Sequence, residues 1–580
     1  MNKKGVATKP KLHIRAKDVV VGLISFGFFM IVIQLFRWQI LDFQRFNNLA
    51  TAQLSLQQDV FTKRGTIYTQ DGVILAVDSP AWNIIVSLSN AVDQKLFLKK
   101  KAEIMTELSR ILDIKQEELT TNFDDKVLTY QVLYRGITKR QKDMIEEKKL
   151  IGIYAEDSIK RLYPNGDLFS HLIGYVGTDS IGRPQGNYGV EGFFWGDIKG
   201  KEGASQQEKD LSGKAIISKE YKNIQYREGK NIVLTVNSGI QKKVEKLLED
   251  GVRGQKGDSG SVIIMNPKTG EIISMATYPD YDPNEFWKIK DVGIFRNKSV
   301  SGPYEYGSVQ KPLTIAMAMQ EGKLTEDDIC NDVGKLKIED KTIYNFDYHR
   351  YGKVTPKETL QYSDNICAAT YGLRVGATAM YTYLTKLGIG YSTGIGIHEE
   401  ETSYLKAPEK WLKIDIATTS FGQAISATPL QFTSAMSTLA NHGERMQPML
   451  VKKIYNNEEE IVIKPTSTGR IFSAEISDKV AKMMEYATFT RLDMAKYKGV
   501  YSIAGKTGTA QVAKSDASGY YEDRVNVTYI GFAPATDARF IMLVKIENPQ
   551  SGTLANLTVL PLWMKIFDTI KDDLGVPRIK

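Results

Sequence analysis

Three short stretches hold residues whose types and spacing suit acyl transfer. In Ser308-Val309-Gln310-Lys311 a hydroxyl and an amine stand three residues apart. On a helix, positions i and i+3 share a face, so the amine reaches the hydroxyl and can take its proton; without such a base a serine is a poor nucleophile. Gly307 before the serine and Pro312 after it predict a helix start around Ser308, where free backbone N–H groups favour a developing oxyanion. Ser363-Asp364-Asn365 opens a predicted helix through Ala368 and Ala369. There Ser363 is placed to relay a proton, and Asn365 to hold Lys311 and a substrate amide. Lys506-Thr507-Gly508-Thr509 lies on a predicted strand before the last hairpin and offers a cation and two hydroxyls to a carboxylate. Gly508 is expected to leave space for a ligand backbone to approach.

Each stretch is weak alone. Ser403-Tyr404-Leu405-Lys406 repeats the first pattern, and Lys268-Thr269-Gly270 repeats the third inside a hairpin turn, where the glycine serves the turn. Ser-Asp-Asn is also ordinary helix capping. The combination is specific: the three occur in one order, on a helix, a helix and a strand, as in penicillin-binding proteins and class A β-lactamases.

The elements around them fit an α+β chain of several domains. With 580 residues the chain exceeds a single core. At 42% apolar and 25% charged residues it is neither collagen-like, nor a coiled-coil rod, nor disordered, nor a disulfide-stapled miniprotein. Five histidines and two cysteines show no zinc-ligand spacing, and no phosphate- or dinucleotide-binding glycine motif is present, so no metal and no cofactor is expected. The net charge of +8 is concentrated: Lys3, Lys4, Lys9, Lys11, Arg15 and Lys17 against Asp18 give +5 in residues 1–18, leaving +3 elsewhere. A nearly neutral body does not point to nucleic acid. Val19 to Phe36 is uncharged and nearly long enough to cross a bilayer, with Arg37 and Trp38 suited to the headgroup level. A cleaved signal peptide and a buried core helix are the alternatives, disfavoured by the length of the run and its apolarity all round. The cationic tail predicts a cytoplasmic N-terminus and about 540 residues outside.

Four regions are expected: a basic tail (1–18), a membrane helix (19–37), a pedestal (38–230) and a catalytic region (231–580). In the pedestal Thr66–Val77 and Trp82–Leu88 read as strands, and Asp93–Leu112 and Thr138–Lys149 as solvated helices, with no acid/base group among them. From Asn231 a strand at 234–236 and an amphipathic helix at 238–251 lead to a hairpin, 260–265 with 271–276. The strands 501–512, 525–532 and 539–546 close the chain, and 308–495 is helix-rich. A five-stranded antiparallel sheet with helices on both faces is the economical assembly. Cys330 and Cys367 either pair in an oxidising compartment or, the expected reading, stay buried as free thiols.

Beyond the three motifs, the chain resembles the class B penicillin-binding proteins over nearly its whole length. Arg64-Gly65-Thr66-Ile67 with Asp71-Gly72, then Arg161, Tyr163-Pro164, Gly166, His171 and Ile173–Gly177, then Gly189-Val190-Glu191 are similar to that family's membrane-proximal signatures. Tyr304–Ser308 and Gly505–Ala510 resemble its catalytic stretches. Thr69, Gln70 and Tyr306 depart from the family's usual Asp, Arg and Pro.

The resemblance implies a single-pass membrane enzyme with a penicillin-binding/β-lactamase-like transpeptidase domain on an elongated α+β pedestal. It implies that Ser308 attacks a D-Ala-D-Ala stem peptide of peptidoglycan, with Lys311 as base, its pKa lowered by burial and by Lys506. Ser363 would pass the proton on, Thr507 and Thr509 would hold the carboxylate, and the N–H groups of Ser308 and Thr509 would form the oxyanion hole. β-Lactams would acylate Ser308. A polytopic glycan polymerase of the shape, elongation, division and sporulation family, and other divisome or elongasome membrane proteins, are the implied partners. A division role is expected over an elongation role. β-Lactamase, D,D-carboxypeptidase and scaffold-only readings fit the length or the motif set less well.

Overall fold

The computed structural model of the chain describes residues 16–43, 55–60, 63–88, 90–120, 123–124, 128–180, 182–201, 203–208, 222–223, 227–514 and 519–579. They form two units: Met1–Thr62 with Lys201–Arg227, and Lys63–Gly200 with Glu228–Lys580. In the smaller unit, helix α1 (Ala16–Phe36) runs into a π-helical turn, Arg37–Leu41. Its apolar side chains are exposed all round, and it is long and apolar enough to cross a membrane. Strands Ser55–Val60, Gly203–Glu208 and Lys222–Asn223 form an antiparallel sheet in the same unit. Lys3, Lys4, Lys9, Lys11 and Arg15 lie outside the described residues.

The larger unit is organised by a five-stranded antiparallel sheet. Strand β1 (Ser259–Met265) pairs with β2 (Ile272–Tyr278) and with β5 (Phe540–Glu547); beyond β5 come β4 (Tyr520–Ala533) and the edge strand β3 (Ala504–Ala513). Every residue of β1 is buried, which requires cover on both faces. Successive side chains divide accordingly. Val262, Ile264, Met542 and Val544 pack against helices α2 (Ser238–Gln255) and, from the C-terminal segment, Val559–Ile570. Ile263, Met265, Ile541 and Leu543 join the core of the helical part, built on α3 (Lys311–Gln320), α4 (Asn365–Val375), α5 (Pro429–Ala440) and α6 (Ala474–Phe489).

The N-terminal half of the larger unit differs from expectation in two respects. The strand expected over 66–77 is broken by a turn at Asp71-Gly72: Thr69 N donates to Val73 O, leaving Ile67–Tyr68 and a 13-residue strand, Ile74–Val86, that absorbs most of the second expected strand. Asp-Gly is a turn signal, and Gly72 takes φ +83°. The helix expected at the surface, Ala91–Leu112, buries Phe97, Ile104 and Leu108 in a core of its own with Ile84 and Leu133. The strand that begins at Asn231 is joined on both sides. Asn231–Leu234 pairs in parallel with Ile67–Tyr68 and antiparallel with Val451–Tyr455.

No acid/base constellation was expected in this half, and what it contains is a buried network of ion pairs. Arg161 Nε donates to Glu191 Oε1 at 2.6 Å and Arg161 also meets Asp78 at 3.3 Å; Arg64 Nε donates to Asp78 at 2.8 Å. Arg161 and Glu191 are almost wholly buried. The thiol expectation is corrected too: Cys330 and Cys367 form a disulfide, because Cys330 on the short strand Cys330–Asp332 lies 5.9 Å, Cα to Cα, from Cys367 on α4.

Candidate active site

Ser308 sits on a 3₁₀ turn, Gly307–Gln310, and α3 begins at Lys311 rather than at the serine; Pro312 falls in the first helical turn, where its missing N–H costs nothing. The turn is pressed against the edge strand. A Cβ on Gly508 would stand 2.6 Å from Tyr306 O, and one on Gly307, at φ +63°, would stand 2.8 Å from Thr509 O. Gly508 therefore makes room for the protein's own backbone, not for a ligand as expected from the sequence. Tyr306 takes φ −97° and stacks on Phe432 of α5 with ring centroids 4.2 Å apart, so the residue in place of proline anchors the turn to the core.

Lys311 is buried one helical turn into the core from Ser308. Its amine donates to Asn365 Oδ1 at 2.8 Å, to Ser363 Oγ at 3.2 Å and to the carbonyl of Ser363. Lys506, buried on β3, reaches the same hydroxyl: its Nζ lies 3.0 Å from Ser363 Oγ and 3.0 Å from Thr507 O. Ser363 is held at the junction of two helices in the left-handed region, φ +56°, a conformation that costs a residue with a side chain about 1–3 kcal/mol and marks functional sites. Asp364 then caps α4, accepting from Cys367 N at 2.9 Å. Ser308 makes no side-chain hydrogen bond among the described residues; it opens on a cleft of about 350 Å³ that Ser363, Asn365, Thr507 and Thr509 also line.

Burial lowers the Lys311 pKa to about 7, against the opposing pull of Asp364 and Asp347. Of the two causes expected from the sequence, burial is the dominant one. Lys506 is held well below the ordinary lysine range by burial first and by Lys311 second. Two ammonium ions on one hydroxyl repel, so the pair releases a proton more readily than either alone. A neutral Lys311 donates two N–H bonds, to the Ser363 carbonyl and Asn365 Oδ1, and keeps a lone pair for a hydroxyl proton.

The structure brings all four side chains of the first two motifs together with Lys506, Thr507 and Thr509. It also supplies residues that spacing did not reveal. Asn345 Oδ1 accepts from Asn365 N at 2.8 Å, and Asn345 Nδ2 donates to the fully buried Asp332 at 2.8 Å. Asn365 Nδ2 gives one hydrogen to Tyr344 O, leaving the other for a ligand. Both decoys are structural: Ser403 Oγ donates to Gln431 and Lys406 pairs with Asp415, while Lys268 pairs with Asp537. Among the described residues no group of three or more His, Cys, Asp or Glu is arranged to hold a metal.

This geometry coincides with a family model. Residues 260–561 match the penicillin-binding protein transpeptidase domain. The chain belongs to that family. Residues 60–234 match the penicillin-binding protein dimerisation domain. Curated relatives of this penicillin-binding protein include stage V sporulation protein D of Bacillus subtilis, 29% identical over 545 residues, spanning 92% of this chain and 82% of that protein. Peptidoglycan D,D-transpeptidase FtsI of Escherichia coli K12 is 29% identical over 501 residues, 85% of this chain and 81% of that protein. Among solved structures, penicillin-binding protein 2X of Streptococcus thermophilus shares the fold, with a TM-score of 0.71 at 22% identity over 90% of this chain and 81% of that one. The chain is a serine-type transpeptidase of the α+β class with one apolar N-terminal helix, as the sequence resemblance implied.

Proposed function

We propose that this penicillin-binding protein cross-links peptidoglycan stem peptides through an acyl-enzyme on Ser308, in septal wall synthesis. Ser308 Oγ attacks the carbonyl of the penultimate D-alanine as Lys311 Nζ takes the hydroxyl proton. The N–H groups of Ser308 and Thr509 stabilise the oxyanion. The peptide C–N bond breaks, and the departing D-alanine receives a proton by way of Ser363. An amine from a neighbouring stem peptide then attacks the ester, releases Ser308 and forms the cross-link; a β-lactam stops at the ester. The observation that carries this reading is the convergence of two buried amines on Ser363 Oγ beside Ser308.

The septal assignment follows the FtsI relatives; stage V sporulation protein D is the counterexample among them. The helix at 19–37 anchors the protein, with the basic tail in the cytoplasm by the positive-inside rule. Residues 38–230 form the pedestal and 231–580 the catalytic region. The partner is a polytopic glycan polymerase of the shape, elongation, division and sporulation family, reached through the membrane helix and the pedestal. Labelling of the full-length protein with a fluorescent penicillin tests the chemistry: wild type labels, Ser308→Ala does not, and an unlabelled wild type sinks the reading. A tagged copy at midcell supports the septal role; sidewall localisation overturns it.

A further inference from the structure

A second cleft, of about 360 Å³, lies between the helix Ala377–Lys386 and the stretches 390–391 and 402–405, and shares no residue with the catalytic cleft. Its size is in the range of small-molecule sites. It includes Ser403, Tyr404 and Leu405 of the stretch that repeats the Ser-x-x-Lys pattern, for which acyl transfer has no use. Three tyrosines line it: Tyr381, Tyr391 and Tyr404. Tyr391 is 53% and Tyr404 78% exposed. Among the described residues none of the three hydroxyls makes a hydrogen bond, and none of the three rings stacks on another ring or lies beneath a cation. No described lining residue carries a formal charge.

The walls are fixed although the rings are free. Gln431 of α5, itself buried, donates from Nε2 to Tyr391 O at 2.7 Å, and its Oε1 accepts from Ser403 Oγ at 3.4 Å and from Thr428 N at 2.9 Å. One side chain thus ties both stretches to the helical core. Gly390, at φ +92°, lets the two backbones close up: a Cβ there would stand 3.2 Å from the Leu405 Cβ. A tyrosine that only fills space packs its ring and spends its hydroxyl. Here a fixed backbone presents rings and hydroxyls to solvent, which lowers the ordering cost of taking a ligand.

We infer that this cleft binds the glycan strand of peptidoglycan, a chain of N-acetylated pyranose sugars. The face of a pyranose is a row of C–H groups that lies flat on an aromatic ring, while its hydroxyls and acetamides exchange hydrogen bonds with neutral partners. Open rings, unspent hydroxyls and a lining without charge are the properties such a ligand needs. The inference rests on the transpeptidase reading above, which supplies the glycan, and adds a subsite for the sugar backbone apart from the cleft that takes the peptide.

The test is calorimetric titration of the full-length protein in detergent with chitohexaose, the neutral hexamer of N-acetylglucosamine. Wild type is expected to bind, and Tyr391→Ala and Tyr404→Ala each to weaken binding about tenfold or more, as for loss of an aromatic anchor. Both variants should acylate with benzylpenicillin at the wild-type rate, which shows that they fold. No binding by wild type, or variants that bind as wild type does, overturns the inference. So does equally tight binding of maltohexaose, which lacks the acetamides, or of a free stem peptide, which lacks the sugars. Variants that lose sugar binding and acylation together assign the tyrosines to folding and overturn it as well. A wild type that binds chitohexaose and takes no penicillin overturns the transpeptidase reading alone.

Discussion

Around Arg161 four charged side chains balance, two guanidinium groups against the carboxylates of Asp78 and Glu191. Around Ser363 two lysines face one hydroxyl, and among the described residues no carboxylate oxygen comes within 4 Å of either amine. Both clusters are buried. In the first, each charged group contacts a group of opposite sign, and the pairs hold the strands and turns of the N-terminal half of the larger unit in register. In the second, compensation is withheld, and the strain is relieved by giving up protons. A buried cation that lacks a counter-ion becomes a base near neutral pH; one that has it becomes a fastener.

The contrast breaks most sharply at Lys311. Lys311→Ala is expected to lower the rate of penicillin acylation roughly 10²–10⁴-fold, the usual worth of a positioned base, in stopped-flow or quenched labelling. Glu191→Ala should act on the other property. It strands Arg161 without its carboxylate and costs about 3–5 kcal/mol in denaturant unfolding, while the folded protein acylates at the wild-type rate. Unchanged stability there would remove the fastener reading.

Smaller effects sharpen the comparison. Replacing both Cys330 and Cys367 by serine frees the 37-residue loop and should cost about 2–4 kcal/mol of stability, read from thermal melting. The acylation rate should rise with pH through about 7 and then level, since Lys311 works only unprotonated. Stability should move with it. Between pH 7 and 10 the unfolded lysine still holds a proton that the folded one has lost, so wild type gains stability relative to Lys311→Met as pH rises. A flat difference would mean that Lys311 stays charged in the fold.

Much of the candidate site was legible because its residues lie within local motifs whose contexts are set by short-range rules. The i, i+3 pair Ser308 and Lys311 needs only one local turn, here a 3₁₀ turn running into α3, and Asp364 needs only to be a cap. The five strands followed from alternation and turn residues. What stayed hidden depends on distance in space. Nothing in the spacing of Asp332, Asn345 and Asn365 says that they form a chain of hydrogen bonds, since two short ribbons between them decide it. The disulfide depends on how Cys330–Asp332 lies against α4. The role of Gly508 required knowing that the Tyr306 carbonyl crosses beneath it. Asp78, Arg161 and Glu191 are separated by up to 113 residues, and only the family resemblance had singled out the last two.

The strand Asn231–Leu234 has backbone neighbours on both sides, one from each half of the larger unit. A catalytic fragment cut at Asn231 would lose Ile67–Tyr68 and lay bare a row of unpaired amides and carbonyls, an invitation to stick to other copies. A soluble form suitable for inhibitor screening should therefore start no later than Lys63.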